Sequence, residues 1–130
     1  MIGIFDSGLG GISCLGQAIH MLPSERFAYF GDSGKPPYSL LPETDARQLS
    51  IEACDFLVEK GVKAIVIACN TATYLAVSEV RKKYEIPVLG MEPAVKVAAD
   101  YGPNGKIVIL ATGMTLKSRM VDNLIDRYGQ

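Results

Sequence analysis

Charge of one sign, long apolar runs and histidine are all scarce in this sequence, and each scarcity removes a class of function. Thirteen Lys plus Arg stand against fourteen Asp plus Glu, a net charge of −1. No segment gathers one sign, so the electrostatic footprint of a nucleic-acid binder is missing. No apolar run approaches the ~20 residues of a membrane span. Met1 leads straight into a short apolar stretch, without the basic start and cleavage site of a signal peptide. A cytoplasmic protein with neither nucleic-acid nor membrane partner is expected. Cys14, Cys54 and Cys69 are odd in number and widely spaced, which fits neither a disulfide framework nor a zinc site. Free thiols and no metal are the expectation.

What is present is a core. Of the 130 residues 48% are hydrophobic and 21% charged, enough to fold one compact α/β domain, or a domain and the beginning of a second. Short runs rich in Ile, Val and Phe at 1–5, 27–30, 64–68, 87–91 and 106–111 are bounded by Gly, Asp, Asn or Pro, as buried parallel strands are. Between them, Leu49, Ala53, Phe56 and Leu57 share a helical face, as do Ala76, Val80 and Tyr84, and then Leu116, Met120 and Leu124. Strict alternation of strand and helix predicts right-handed βαβ crossovers and a doubly wound, mostly parallel α/β sheet of five strands. The Gly-Pro-Asn-Gly turn at 102–105 is the best candidate for a lobe boundary.

Ligands of such sheets bind at the carboxyl ends of the strands, so the strand-end residues are the functional candidates. The first strand ends in Asp6-Ser7-Gly8-Leu9-Gly10-Gly11, the second in Gly31-Asp32-Ser33, the third in Cys69-Asn70-Thr71. Gly8, Gly10 and Asp32 approach a dinucleotide fingerprint, but its third glycine is Ser13 and it has no use for Asp6 and Ser7. Residues 31–36 superficially resemble a serine-protease nucleophile loop. That reading requires a β-barrel and a histidine, whereas His20 lies late in a helix and is expected on the surface. Cys69 is the informative residue. It follows the run 64–68 and precedes a helix that Asn70 or Thr71 can cap, and a helix amino terminus stabilises a thiolate suited to nucleophilic or proton-transfer work. The alternative is an inert buried thiol, which is the expectation for Cys14 and Cys54 inside helices. Asp6 either sits near Cys69, accepting its proton or holding an ammonium group, or caps the following helix. Ser7, Ser39, Asn70 and Thr71 supply hydroxyl and amide donors for a small acid.

Four motifs in order carry a resemblance: Asp6-Ser7-Gly8-Leu9-Gly10-Gly11, then Tyr29-Phe30-Gly31-Asp32-Ser33 leading to Pro37-Tyr38, then Val66-Ile67-Ala68-Cys69-Asn70-Thr71-Ala72-Thr73, and Ile86-Pro87-Val88-Leu89-Gly90. Together they resemble the bacterial glutamate racemases of the aspartate/glutamate racemase family. The resemblance implies a cofactor-independent isomerase that interconverts L- and D-glutamate for peptidoglycan synthesis with two cysteines on opposite faces of the substrate. It implies Cys69 as one acid/base, Asp6 as its helper, and Asp6, Ser7, Tyr38, Ser39, Asn70 and Thr71 as substrate contacts. The family usually has glycine where Ser39 stands; a backbone amide contact survives that change, a glycine-only conformation does not. The family's Gly-Cys-Thr-His segment, with the second cysteine, has no match. The expectation is therefore an amino-terminal α/β lobe at 1–100 and the opening strand and helix of a second lobe at 101–130, impaired alone and completed by a missing lobe or a homodimer partner. An aspartate racemase and a non-catalytic α/β module binding an anion or amino acid are the alternatives.

Overall fold

The short run Ile2-Gly3-Ile4-Phe5, closed by Asp6, builds an inner strand of a parallel sheet in this computed structural model, which describes residues 1–101 and 105–129. Strands β1 (Ile2–Asp6), β2 (Phe27–Gly31), β3 (Ala64–Ile67) and β4 (Val88–Gly90) lie in the order β2-β1-β3-β4, all parallel. Helices α1 (Gly11–Met21), α2 (Glu43–Glu59) and α3 (Asn70–Lys83) connect them in turn, and a 3₁₀ turn, Tyr38–Leu40, precedes α2. The doubly wound parallel architecture is thus present, with four strands among the described residues. From β1 the chain steps to β2 on one side and later crosses to β3 on the other. The switch point lies between β1 and β3, where such sheets bind ligands.

The pleat sorts the residues. A Cβ on Gly3 would meet Leu57 and Val62, each at 3.1 Å, whereas the Asp6 side chain, of opposite parity, lies against Gly11 at the start of α1. Ile4, Phe5, Ile65 and Ile67 are fully buried, and α2 and α3 pack on each other, burying Ala53, Cys54, Leu57, Leu75, Ala76 and Val80. Tyr84 falls just beyond α3 rather than within it, and its hydroxyl donates to Asp55 Oδ1 at 2.5 Å beside the Lys83–Asp55 ion pair. Burial alone would raise the Asp55 carboxyl; hydrogen bonds from Lys83 and Tyr84 outweigh it and hold the group below its ordinary range.

Several expectations need correction. β2 is half-buried throughout and Leu89 of β4 is exposed, because these are edge strands and α1 buries only Gly11. Phe56 is also exposed, its ring 5.2 Å from that of Phe30.

The chain divides into two compact units, Met1–Met91 and Glu92–Gln130. In the second, α4 (Val95–Tyr101), α5 (Gly113–Leu116) and α6 (Arg119–Tyr128) are formed, and α4 contacts α6. Residues 106–111, expected as a fifth strand, form none, and Val108 and Leu110 are exposed. A strand needs a hydrogen-bonded neighbour, and among the described residues this unit provides none. The single helix expected through Leu116, Met120 and Leu124 breaks at Lys117 and Ser118. There the buried Ser118 hydroxyl donates to the Thr115 carbonyl at 2.6 Å, leaving Leu116 exposed and Val121 with Leu124 buried. Of the turn at 102–105, residues 102–104 lie outside the described residues. Among the described residues no helix is long and apolar enough to cross a membrane.

Candidate active site

Because β1 and β3 pair in register from Ile2 with Ala64 to Phe5 with Ile67, the residues that follow them emerge side by side. The Ala68 amide donates to the Phe5 carbonyl at 2.7 Å, continuing the ladder. One step further, Ser7 Oγ lies 3.1 Å from Cys69 Sγ. Two residues 62 positions apart are thereby brought into hydrogen-bond contact at the switch point.

Cys69 itself caps α3. Its backbone is extended, with φ −84° and ψ 121°, and its sulfur accepts from the Ala72 amide at 3.4 Å. Asn70 and Thr71, expected as caps, lie one and two steps inside the helix, so the sulfur takes the place of a Ser or Asp oxygen. Cys69 as a residue is buried, at 9% exposure, with the Ser7 hydroxyl and the Ala72 amide against its sulfur.

Asp6 is buried, and its Oδ2 accepts from the Gly8 amide at 3.1 Å. It does not cap α1, whose capping position is Gly10; the carboxylate shapes the loop immediately after β1 instead. Above that loop the Tyr29 hydroxyl donates to the Gly8 carbonyl at 3.0 Å. Burial, then the Asp6 charge, raise the Tyr29 phenol above its ordinary range, so it remains a neutral donor.

Tyr38 is buried with its ring 6.2 Å from that of Phe5, and its hydroxyl donates to Asp32 Oδ2 at 2.9 Å. Burial first, then Asp32 and the nearby Cys69, push its phenol far above the usual range. Ser39 is half-buried in the same 3₁₀ turn, which packs against α2 and α3. Asn70 is half-buried and Thr71 buried at the start of α3. The structure therefore brings Ser7 and Cys69 into contact at the strand ends, while the Asp6 side chain turns to the Gly8 amide and the start of α1. The Asp32–Tyr38 pair was not legible in the sequence, since no helical or strand period links positions six apart across two prolines.

The other cysteines stand apart. Cys14 lies within α1 and Cys54 is fully buried in α2, where desolvation above all pushes its thiol up to about 12. At pH 8 about one Cys54 in ten thousand is then ionised, and the thiolate is the reactive form. Iodoacetamide treatment of the folded chain, followed by peptide mass spectrometry, is expected to modify Cys54 last of the three. Alkylation of Cys54 in step with Cys14 would contradict its burial. Among the described residues no three of His, Cys, Asp and Glu converge as metal ligands would. A cavity of about 820 Å³ in the second unit is lined by Val95, Ile107, Val108 and Ile125 among others, and contains none of the strand-end residues described above.

A thiol and a hydroxyl in contact, next to a buried aspartate in the chain, stand at the switch point of a doubly wound parallel α/β sheet, the place where ligands of such sheets bind. Residues 16–130 match the Asp/Glu/Hydantoin racemase family, and the chain belongs to that family. It is 48% identical over 127 residues to a glutamate racemase of Clostridium botulinum strain Langeland, covering 98% of this chain and 49% of the relative. The glutamate racemase of Aquifex pyrophilus superposes with a TM-score of 0.90 at 36% identity, covering 98% of this chain and 51% of that one. The Escherichia coli glutamate racemase, solved with L-glutamate and an activator, UDP-MurNAc-ala, also gives a TM-score of 0.90, at 33% identity, covering 98% and 48%. The chain spans about half the length of the relatives it matches.

Proposed function

We propose that this chain forms the amino-terminal part of a cytoplasmic, cofactor-independent glutamate racemase, residues 1–100 as one lobe and 101–130 as the opening of the next. The observation that carries the reading is the contact of Cys69 Sγ with Ser7 Oγ, in the loop that the buried Asp6 carboxylate shapes through the Gly8 amide. A thiolate is a competent base for an α-hydrogen, and its helix-capping position supplies an amide to stabilise the anion.

In this reading glutamate sits across the strand ends. Ser7, Ser39, Asn70 and Thr71 hold its carboxylates through hydroxyl and amide groups, with Tyr38 walling the site, while Asp6 faces the α-ammonium group and assists Cys69. Cys69 removes the α-hydrogen from one face of the substrate as a proton, leaving the electron pair on the α-carbon. Inversion requires a second acid on the opposite face. Cys54 is buried in α2 and Cys14 lies within α1, so the second acid is expected from outside this copy of the chain, whether from a further lobe or from a second copy. The glutamate-bound relative supports the substrate class.

The test is a comparison of two rates on the 130-residue chain. In D2O it is expected to exchange the α-hydrogen of one glutamate enantiomer while producing little of the other. Racemisation at an enzyme's ordinary rate, of order 1 s⁻¹ or more, would show that no second group is missing. Absence of exchange, with glutamate binding insensitive to thiol alkylation, would leave only a binding module. Thermal shifts with D-glutamate and L-aspartate separate the two acids as substrates.

A further inference from the structure

The segment 32–42 carries the proposed substrate contacts Tyr38 and Ser39, yet no strand runs through it and Pro36, Pro37 and Pro42 lack amide donors. Its order rests on a few attachments. The Leu40 and Leu41 amides donate to the Pro37 and Tyr38 carbonyls, at 2.8 and 3.2 Å, closing the turn on itself. The link from that turn to the sheet runs through the Tyr38 side chain, whose ring packs by Phe5 and whose hydroxyl donates to Asp32. Asp32 is itself tied to the end of β1, its amide donating to the Asp6 carbonyl at 3.0 Å. One residue thus holds the Asp6 backbone with its amide and the Tyr38 phenol with its carboxylate.

We propose that Asp32 is a positioning residue: by accepting a hydrogen bond from the Tyr38 hydroxyl it fixes the Tyr38–Leu40 turn against the end of β1, presenting Ser39 to the substrate carboxylate. This rests on the glutamate-site reading above. Asp32 touches no substrate in this arrangement. Its carboxylate is an acceptor only, matching a phenol that stays protonated and buried, and so it selects one orientation of the hydroxyl. An asparagine retains an acceptor oxygen in the same place, whereas alanine retains none.

The experiment compares the wild-type chain with Asp32→Ala, Asp32→Asn and Tyr38→Phe, reading amide hydrogen exchange at Leu40 and Leu41 and the affinity for glutamate by NMR titration. Asp32→Ala and Tyr38→Phe are each expected to speed exchange at both amides about tenfold and to weaken glutamate about tenfold, with the double variant no worse than either. Asp32→Asn is expected to remain within about threefold of wild type in both readouts, a rescue that general loss of structure would not give. Tyr38→Phe keeps the ring against Phe5, so it decides the matter if Asp32→Ala fails to fold. Unchanged exchange in these variants, or faster exchange with unchanged affinity, overturns the proposal. A wild-type chain that binds no glutamate overturns the reading of the site instead, and exchange alone then decides whether Asp32 holds the turn.

Discussion

Replacing Cys69 by serine is expected to lower exchange of the glutamate α-hydrogen in D2O by at least about a hundredfold, the ordinary weight of one general base. The substitution is nearly isosteric, and its chemistry is what changes. A serine oxygen at the cap of α3 can still accept from the Ala72 amide, as serine caps commonly do, so the helix start and the fold are expected to persist. Its hydroxyl, however, is not ionised at neutral pH and has no histidine to activate it, the single His20 being exposed near the end of α1. The measurement is the decay of the α-hydrogen NMR signal of each enantiomer, with the thermal midpoint as the control for folding. Exchange by Cys69→Ser at the wild-type rate would remove Cys69 from the chemistry and leave it a capping residue. Ser7→Ala supplies the complementary comparison, since Ser7 is the side chain in contact with the sulfur.

How much of this was legible in the sequence differs between the elements. The first strands were legible because Gly3-Ile4-Phe5 and Ile65-Val66-Ile67 are short apolar runs closed by polar strand-end residues. That the first and third strands can be neighbours was open from the alternating pattern, and β1 does pair with β3. The side-chain roles were not legible to the same degree. Cys69 caps its own helix because an extended backbone at that position aims the sulfur at the Ala72 amide, and a sequence pattern favours Asn70 and Thr71 for that task. Asp6 binds the Gly8 amide rather than capping α1 because four residues of loop separate it from Gly11. Beyond Met91 the sequence pattern still reads as strand and helix. A run such as Ile107-Val108-Ile109 becomes a strand only when another strand pairs with it, and that condition is not written in the run itself.

Replacing Gly31 by alanine is expected to destabilise the first unit by about 2–3 kcal/mol, the upper range for overpacking a close-fitting site. Gly31 pairs with Asp6 at the end of the β1–β2 ladder, and a Cβ there would stand 2.5 Å from the Gly8 carbonyl oxygen and 2.9 Å from the Tyr29 ring. The oxygen belongs to backbone and already accepts the Tyr29 hydroxyl, so relief requires the loop after β1 to move rather than a side chain to rotate. That loop carries Ser7, and its displacement draws Ser7 away from Cys69. Urea unfolding is therefore expected to show a lower midpoint, accompanied by weaker glutamate binding under conditions where the variant is still folded. Gly34→Ala is the control, because a Cβ at Gly34 meets nothing within 4 Å; it is expected to stay within about 0.5 kcal/mol of wild type. Equal midpoints for the two variants would mean that the loop after β1 gives way freely. The contact between Ser7 and Cys69 would then be one loop position among several rather than a geometry that the Gly31–Gly8 approach enforces.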